Sequence, residues 1–166
     1  HMANFKALGA NPTPISWTEL YLAMSQKLVD GQENPLSNIV DQKMWEVQSS
    51  ITLTGHIYDE APLVANYKWF SDLPVEYQKI LKEGAMIAQN YNRYMNYLQE
   101  EQFLDLCRSK GMEVVELSDS EKVAFRDIGQ PAVAAEVRKE IGDEFVDWWL
   151  NSVEEIRAQE KIDASA

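Results

Sequence analysis

The chain has 166 residues, 45% of them hydrophobic, which is enough for a buried core in a domain of ordinary size. Fifteen Lys and Arg stand against 27 Asp and Glu, a formal net charge of -12, so a phosphate-binding surface is disfavoured and nucleic acid is not expected as a partner. A single cysteine excludes an intrachain disulfide, no apolar run approaches the ~20 residues that span a bilayer, and no signal peptide is visible.

His1-Met2 resembles a cloning remnant, which leaves His56 as the one histidine to weigh, too few for a His-rich metal site or a Ser-His-Asp triad. Asn4 to Gly9 carries Phe5 and Leu8 at helical spacing and ends on glycine, like the last turns of a helix that starts upstream. Ala10 to Ile15 holds two prolines in three residues and reads as an edge strand or extended connector. Ser16 with Glu19 forms a capping-box pattern, and Leu20, Ala23, Met24, Lys27 and Leu28 continue a helix toward Asp30. Trp17, at the first position of that helix, fits either a lid on its first turn or the wall of a cleft.

Val29-Asp30-Gly31-Gln32-Glu33-Asn34-Pro35 then packs a glycine, acids, amides and a proline into seven residues. Gly31 permits positive φ, and Pro35 biases Asn34 toward extended backbone, so the segment reads as a plain turn or as a shaped polar corner. Asn38 to Glu46 reads as a short helix, and Val47 to Tyr58 as a strand broken by a bulge or close approach at Gly55, with Ala61 to Tyr67 as a second strand candidate. His56 could face a core or a cleft.

Ser71 or Asp72 can cap the next helix, with Pro74 in its first turn. Apolar residues at spacings of three and four extend it to Ser109, with a break conceivable at Gly84 or at Glu100-Glu101, and Tyr91, Tyr94 and Tyr97 read as a packing stripe. Cys107 reads as a small apolar filler of this helix. Gly111 closes it, Met112 to Leu117 alternates like a strand, and Ser118-Asp119-Ser120 starts a helix. Pro131 opens a further helix, and Gly142-Asp143 precedes a last one from Glu144 to Lys161, with a frayed tail at 162–166.

The ordered segments Gly9 to Pro14, Glu19-Leu20-Tyr21, Val29 to Pro35, Trp45 to Gln48, Thr52 to His56 and Leu73-Pro74 resemble the extracytoplasmic solute-binding proteins of TRAP transporters, the DctP family. The resemblance covers essentially the whole chain but only the C-terminal half of a family member. It implies a helix-dominated α/β fold, the C-terminal portion of a two-lobed periplasmic-binding-protein-like architecture with short sheet fragments and one long spanning helix. Residues 1–2 would be the remnant, 3–48 part of the second lobe with the ligand corner, 49–71 hinge and lobe-crossing strands, 72–110 the long helix, 111–161 a strand and C-terminal helices, and 162–166 the tail.

The function that the resemblance implies is the receptor of a TRAP transporter for an organic acid, working in the periplasm with the transporter's membrane subunits. Asn34 would donate to the ligand carboxylate and Trp17 would pack on the ligand, while the arginine that pairs with that carboxylate precedes the matching region. Glu33 and His56 would form the supporting layer, because a buried arginine needs an acid to hold its fork and a histidine to complete the set. No cofactor and no metal are expected. A different reading is a self-associating module, a homodimer hiding apolar surface. An enzyme using Glu33 and His56 as an acid–base pair lacks a nucleophile or metal set, so no catalytic residues are expected.

Overall fold

The computed structural model describes residues 1–58 and 61–163, with side chains through residue 159. Its elements are α1 (Met2–Ala7), α2 (Trp17–Ser25), α3 (Leu36–Asp41), a 3₁₀ turn (Met44–Glu46), β1 (Ser50–Leu53), α4 (Tyr67–Ser71), α5 (Val75–Ser109), β2 (Glu113–Glu116), α6 (Asp119–Ile141) and α7 (Asp143–Asp163). Helix dominates, and among the described residues the sheet is one parallel pair, running from Ser50 opposite Glu113 to Leu53 opposite Glu116. The chain divides into two compact units, Ile15–Glu116 and His1–Pro14 with Leu117–Ala166.

The core of the first unit forms where short elements each bury one or two side chains. Alternation along β1 turns Ile51 inward while Ser50 and Thr52 face out. On α2 the i, i+4 pair Leu20 and Met24 lies on one face. These meet Ile39 of α3, Met44 of the 3₁₀ turn, Cys107 of α5 and Met112 before β2, with Met44 and Cys107 fully buried. Burial also pushes the Cys107 thiol pKa up, in keeping with the filler reading.

Several expected boundaries move, and chain reversals explain most of them. α2 stops at Ser25 instead of running toward Asp30, because Lys27 takes a left-handed φ of 58°. The Leu28 N–H then reaches the Ala23 carbonyl at 2.9 Å and the Lys27 N–H reaches Met24 at 3.0 Å, closing the helix in a Schellman motif. Gly31, offered as the left-handed position, is not among the positive-φ residues. A second left-handed lysine, Lys43 at φ 52°, divides the expected helix at 38–46 into α3 and the 3₁₀ turn. The Ser16 and Glu19 side chains pair with each other at 2.8 Å, and Ser16 makes no side-chain cap to the helix backbone.

The expected strand over 47–58 is confined to Ser50–Leu53. Gly55 does adopt φ 57°, and among the described residues nothing lies within 4 Å of a Cβ placed there, against the expected close approach. The second strand candidate, 61–67, does not form; Asn66 instead accepts from the Trp69 N–H at 3.0 Å and starts α4.

α5 is continuous through Gly84 and Glu100-Glu101, 35 residues or about 50 Å at ~1.5 Å each. Its last turns, with Leu104 and Cys107, reach the core. Tyr91, Tyr94 and Tyr97, expected to pack on a neighbour, are exposed, as are Tyr77, Ile80 and Ile87. The helix outruns the short elements beside it.

In the second unit α6 begins with a complete capping box: the Glu121 N–H donates to Ser118 Oγ at 3.4 Å, and the Ser118 N–H donates to Glu121 Oε2 at 2.8 Å. α6 continues through Pro131, where a new helix was expected, and ends at Gly142 with φ 87°. Ile162 and Asp163 of the expected frayed tail are in α7, and 164–166 lie outside the described residues.

α1 lies against α6, where Phe5 and Phe125 meet edge to face at 6.4 Å. Beside them Gly129 faces the buried Asn4: a Cβ at 129 would stand 1.8 Å from Asn4 Oδ1. Gly129→Ala is therefore expected to destabilise on the order of 1 kcal/mol, overpacking outweighing the gain in helix propensity. Asn4→Ala/Gly129→Ala removes the clash and should recover most of that loss. Urea melts of the two variants check this, and a single variant more stable than the parent would refute it.

Candidate functional site

The polar corner is built on a segment without regular structure that ends at Pro35, φ −55° and ψ 148°, the N-cap of α3. Gln32 and Asn34 meet each other, while Glu33 meets a different partner.

On one side four carboxamides join head to tail. Asn38 Nδ2 donates to Asn34 Oδ1 at 3.4 Å, Asn34 Nδ2 donates to Gln32 Oε1 at 2.6 Å, and Gln32 Nε2 donates to Gln48 Oε1 at 3.2 Å. All four residues are half-buried. The series ties the corner to the first turns of α3 and to the residues that lead into β1. Each primary amide carries two N–H donors, so Asn34 keeps one beyond its bond to Gln32.

On the other side Glu33 Oε2 lies 3.6 Å from His56 Nε2, within ion-pair reach but longer than a hydrogen bond. The other ring nitrogen, Nδ1, is 2.6 Å from Thr54 Oγ1. The left-handed φ of Gly55, just after β1, lets positions 54 and 56 face each other. Burial lowers the His56 pKa from its usual value, and the Glu33 carboxylate works against that shift. The imidazole is thus neutral near pH 7, one nitrogen a donor and the other an acceptor.

The structure therefore brings Glu33 to His56 and sets Asn34, next to Glu33 in sequence, in a separate polar series. Trp17 belongs to neither series; it opens α2 with 40% of its surface exposed. Sequence reading missed Gln32, Asn38, Gln48 and Thr54, and the amides at alternate positions 32 and 34 were the available signal for the first of these. Among the described residues no group of three or more His, Cys, Asp or Glu is placed to hold a metal ion, and no helix is long and apolar enough to cross a membrane. A neutral amide donor beside an acid–imidazole pair suits an anion held by a partner cation, since the amide supplies N–H groups and the acid can orient a guanidinium.

Residues 1–140 match the family described as bacterial extracellular solute-binding protein, family 7, DctP. The chain is 33% identical over 127 residues to the 2,3-diketo-L-gulonate-binding periplasmic protein YiaO of Escherichia coli, covering 76% of this chain and 38% of that protein. A TRAP periplasmic solute binding protein from Polaromonas bound to D-erythronate superposes with a TM-score of 0.77 at 35% identity, over 89% of this chain and 48% of that one. Another, from Desulfovibrio salexigens with bound orotic acid, gives 0.83 at 26% identity, over 95% and 50%. The chain thus spans less than half the length of that curated relative and about half of those structures.

Proposed function

Because the chain belongs to the DctP family of bacterial extracellular solute-binding proteins, we propose that it is the C-terminal half of a TRAP transporter receptor. That receptor captures a carboxylate-bearing organic acid in the periplasm, closes its lobes on it and hands it to the membrane subunits, with no chemical step. The observation that carries this reading is the half-buried Asn34 amide, held by Gln32 and Asn38 with a donor to spare. In this reading Asn34 donates to the ligand carboxylate and Trp17 covers the contact. Glu33 and His56 hold the arginine that binds the same carboxylate, a residue contributed by the rest of the receptor. The ligands of the similar proteins, 2,3-diketo-L-gulonate, D-erythronate and orotic acid, are all carboxylic acids, which supports an acid as cargo.

Without a bidentate arginine the chain alone lacks two charged hydrogen bonds, about 3 kcal/mol or more, hence at least a roughly hundredfold loss of affinity. Calorimetry of this chain with D-erythronate, 2,3-diketo-L-gulonate and orotate should accordingly show weak binding or none. Micromolar binding of any of them would overturn the division of the site. A second reading, self-association, rests on the exposed Tyr77, Ile80, Ile87 and Tyr91 of α5. Light scattering that shows a monomer at high concentration would remove it.

A further inference from the structure

We infer that Gln32 and Gln48 are positioning residues that set which way the Asn34 carboxamide faces. The inference deepens the proposed carboxylate site and rests on that reading. Its basis is the common direction of the three bonds: Asn38, Asn34 and Gln32 each donate from nitrogen to the oxygen of the next amide toward Gln48, so Asn34 and Gln32 both donate and accept.

An asparagine amide is nearly symmetric in shape but opposite in polarity at its two ends. Presented nitrogen first it donates to a carboxylate; presented oxygen first it repels one. Turning Asn34 alone would set its oxygen against Gln32 Oε1 and its nitrogen against Asn38 Nδ2, losing two bonds and creating two like-with-like contacts. The direction can reverse only if the neighbouring amides turn with it. Gln48, which lies outside the corner and just before β1, supplies the acceptor at which the series ends. A half-buried setting makes each mismatched pair costlier than in water.

Two measurements test this, and the first needs no ligand. In side-chain amide NMR of this chain, rotation of the Asn34 NH2 group must break its bond to Gln32. It should be about tenfold slower than in the exposed Gln26, the factor of roughly one net hydrogen bond. Gln32→Leu should abolish the slowing. Gln48→Glu, still an acceptor toward Gln32, should keep it, and Gln48→Leu should weaken it.

The second measurement uses the full-length receptor with whichever of D-erythronate, 2,3-diketo-L-gulonate or orotate it binds most tightly. Gln32→Leu should weaken binding about tenfold, with Gln48→Glu close to the parent and Gln48→Leu weaker. Free rotation of Asn34 in the parent chain overturns the inference, whatever the binding. So does parental affinity in Gln32→Leu when Asn34→Ala has lost it. Parental affinity in Asn34→Ala instead removes the carboxylate reading itself, and the inference falls with it.

Discussion

Replacing Met44 with alanine should cost the Ile15–Glu116 unit about 2–5 kcal/mol, the range for truncating a buried Met, Leu or Ile. Met44 is 1% exposed and, among the described residues, sits in a cluster of seven buried side chains. It reaches that cluster from a three-residue 3₁₀ turn, and the left-handed Lys43 before it fixes the turn's direction, so the backbone has little room to collapse into the void. Domains of this size are stable by about 5–15 kcal/mol, so the loss is a large share of the total.

Cys107 reports the outcome directly. Its thiol is fully buried in the same cluster, and labelling requires the unit to open. At 1.36 kcal/mol per decade, Met44→Ala should speed labelling by roughly 30-fold or more. Met44→Leu, which conserves volume, should cost less than about 1.5 kcal/mol. Equal labelling rates in parent and Met44→Ala would show that Met44 does not hold the core together.

In the full-length receptor, Asn34→Ala should weaken binding of the acid by roughly tenfold to a hundredfold, the worth of one hydrogen bond to a charged group. Asn34→Asp should be worse, although aspartate has nearly the same shape, because it sets a negative charge against the ligand carboxylate and can no longer donate at pH 7. This ordering separates a donor role from a packing role. Calorimetry showing aspartate equal to or better than alanine would end the assignment of Asn34 as the carboxylate donor.

The architecture was legible wherever a local rule suffices. Apolar spacing located α5 and α7, Gly111 and Gly142 marked the turns that end α5 and α6, and alternation located β2. The errors have three physical causes. Lys27 and Lys43 hold left-handed backbone that favours glycine, and nothing about a lysine announces it. Pro131 reads as a helix start but lies within α6, because the capping box at Ser118 and the contacts with α1 and α7 hold the helix on both sides of it. The tyrosines of α5 obey helical periodicity and yet stay exposed, since periodicity says which residues share a face and not whether anything covers that face.

By itself the sequence determined the helix-dominated class, the places of β1 and β2 and the family, because these rest on residue type, short-range spacing and motifs in order. It also singled out Asn34, Glu33 and His56, because the segments that carry them resemble the family's. Only the tertiary structure decided how these side chains pair. It joined Glu33 to His56 across 23 positions and ran the amide series from Asn38 through Asn34 and Gln32 to Gln48. Hydrogen bonds between half-buried side chains depend on where the backbone returns in space, and here that follows from β1 pairing with β2 and from the small core that holds α3, the 3₁₀ turn and β1 together.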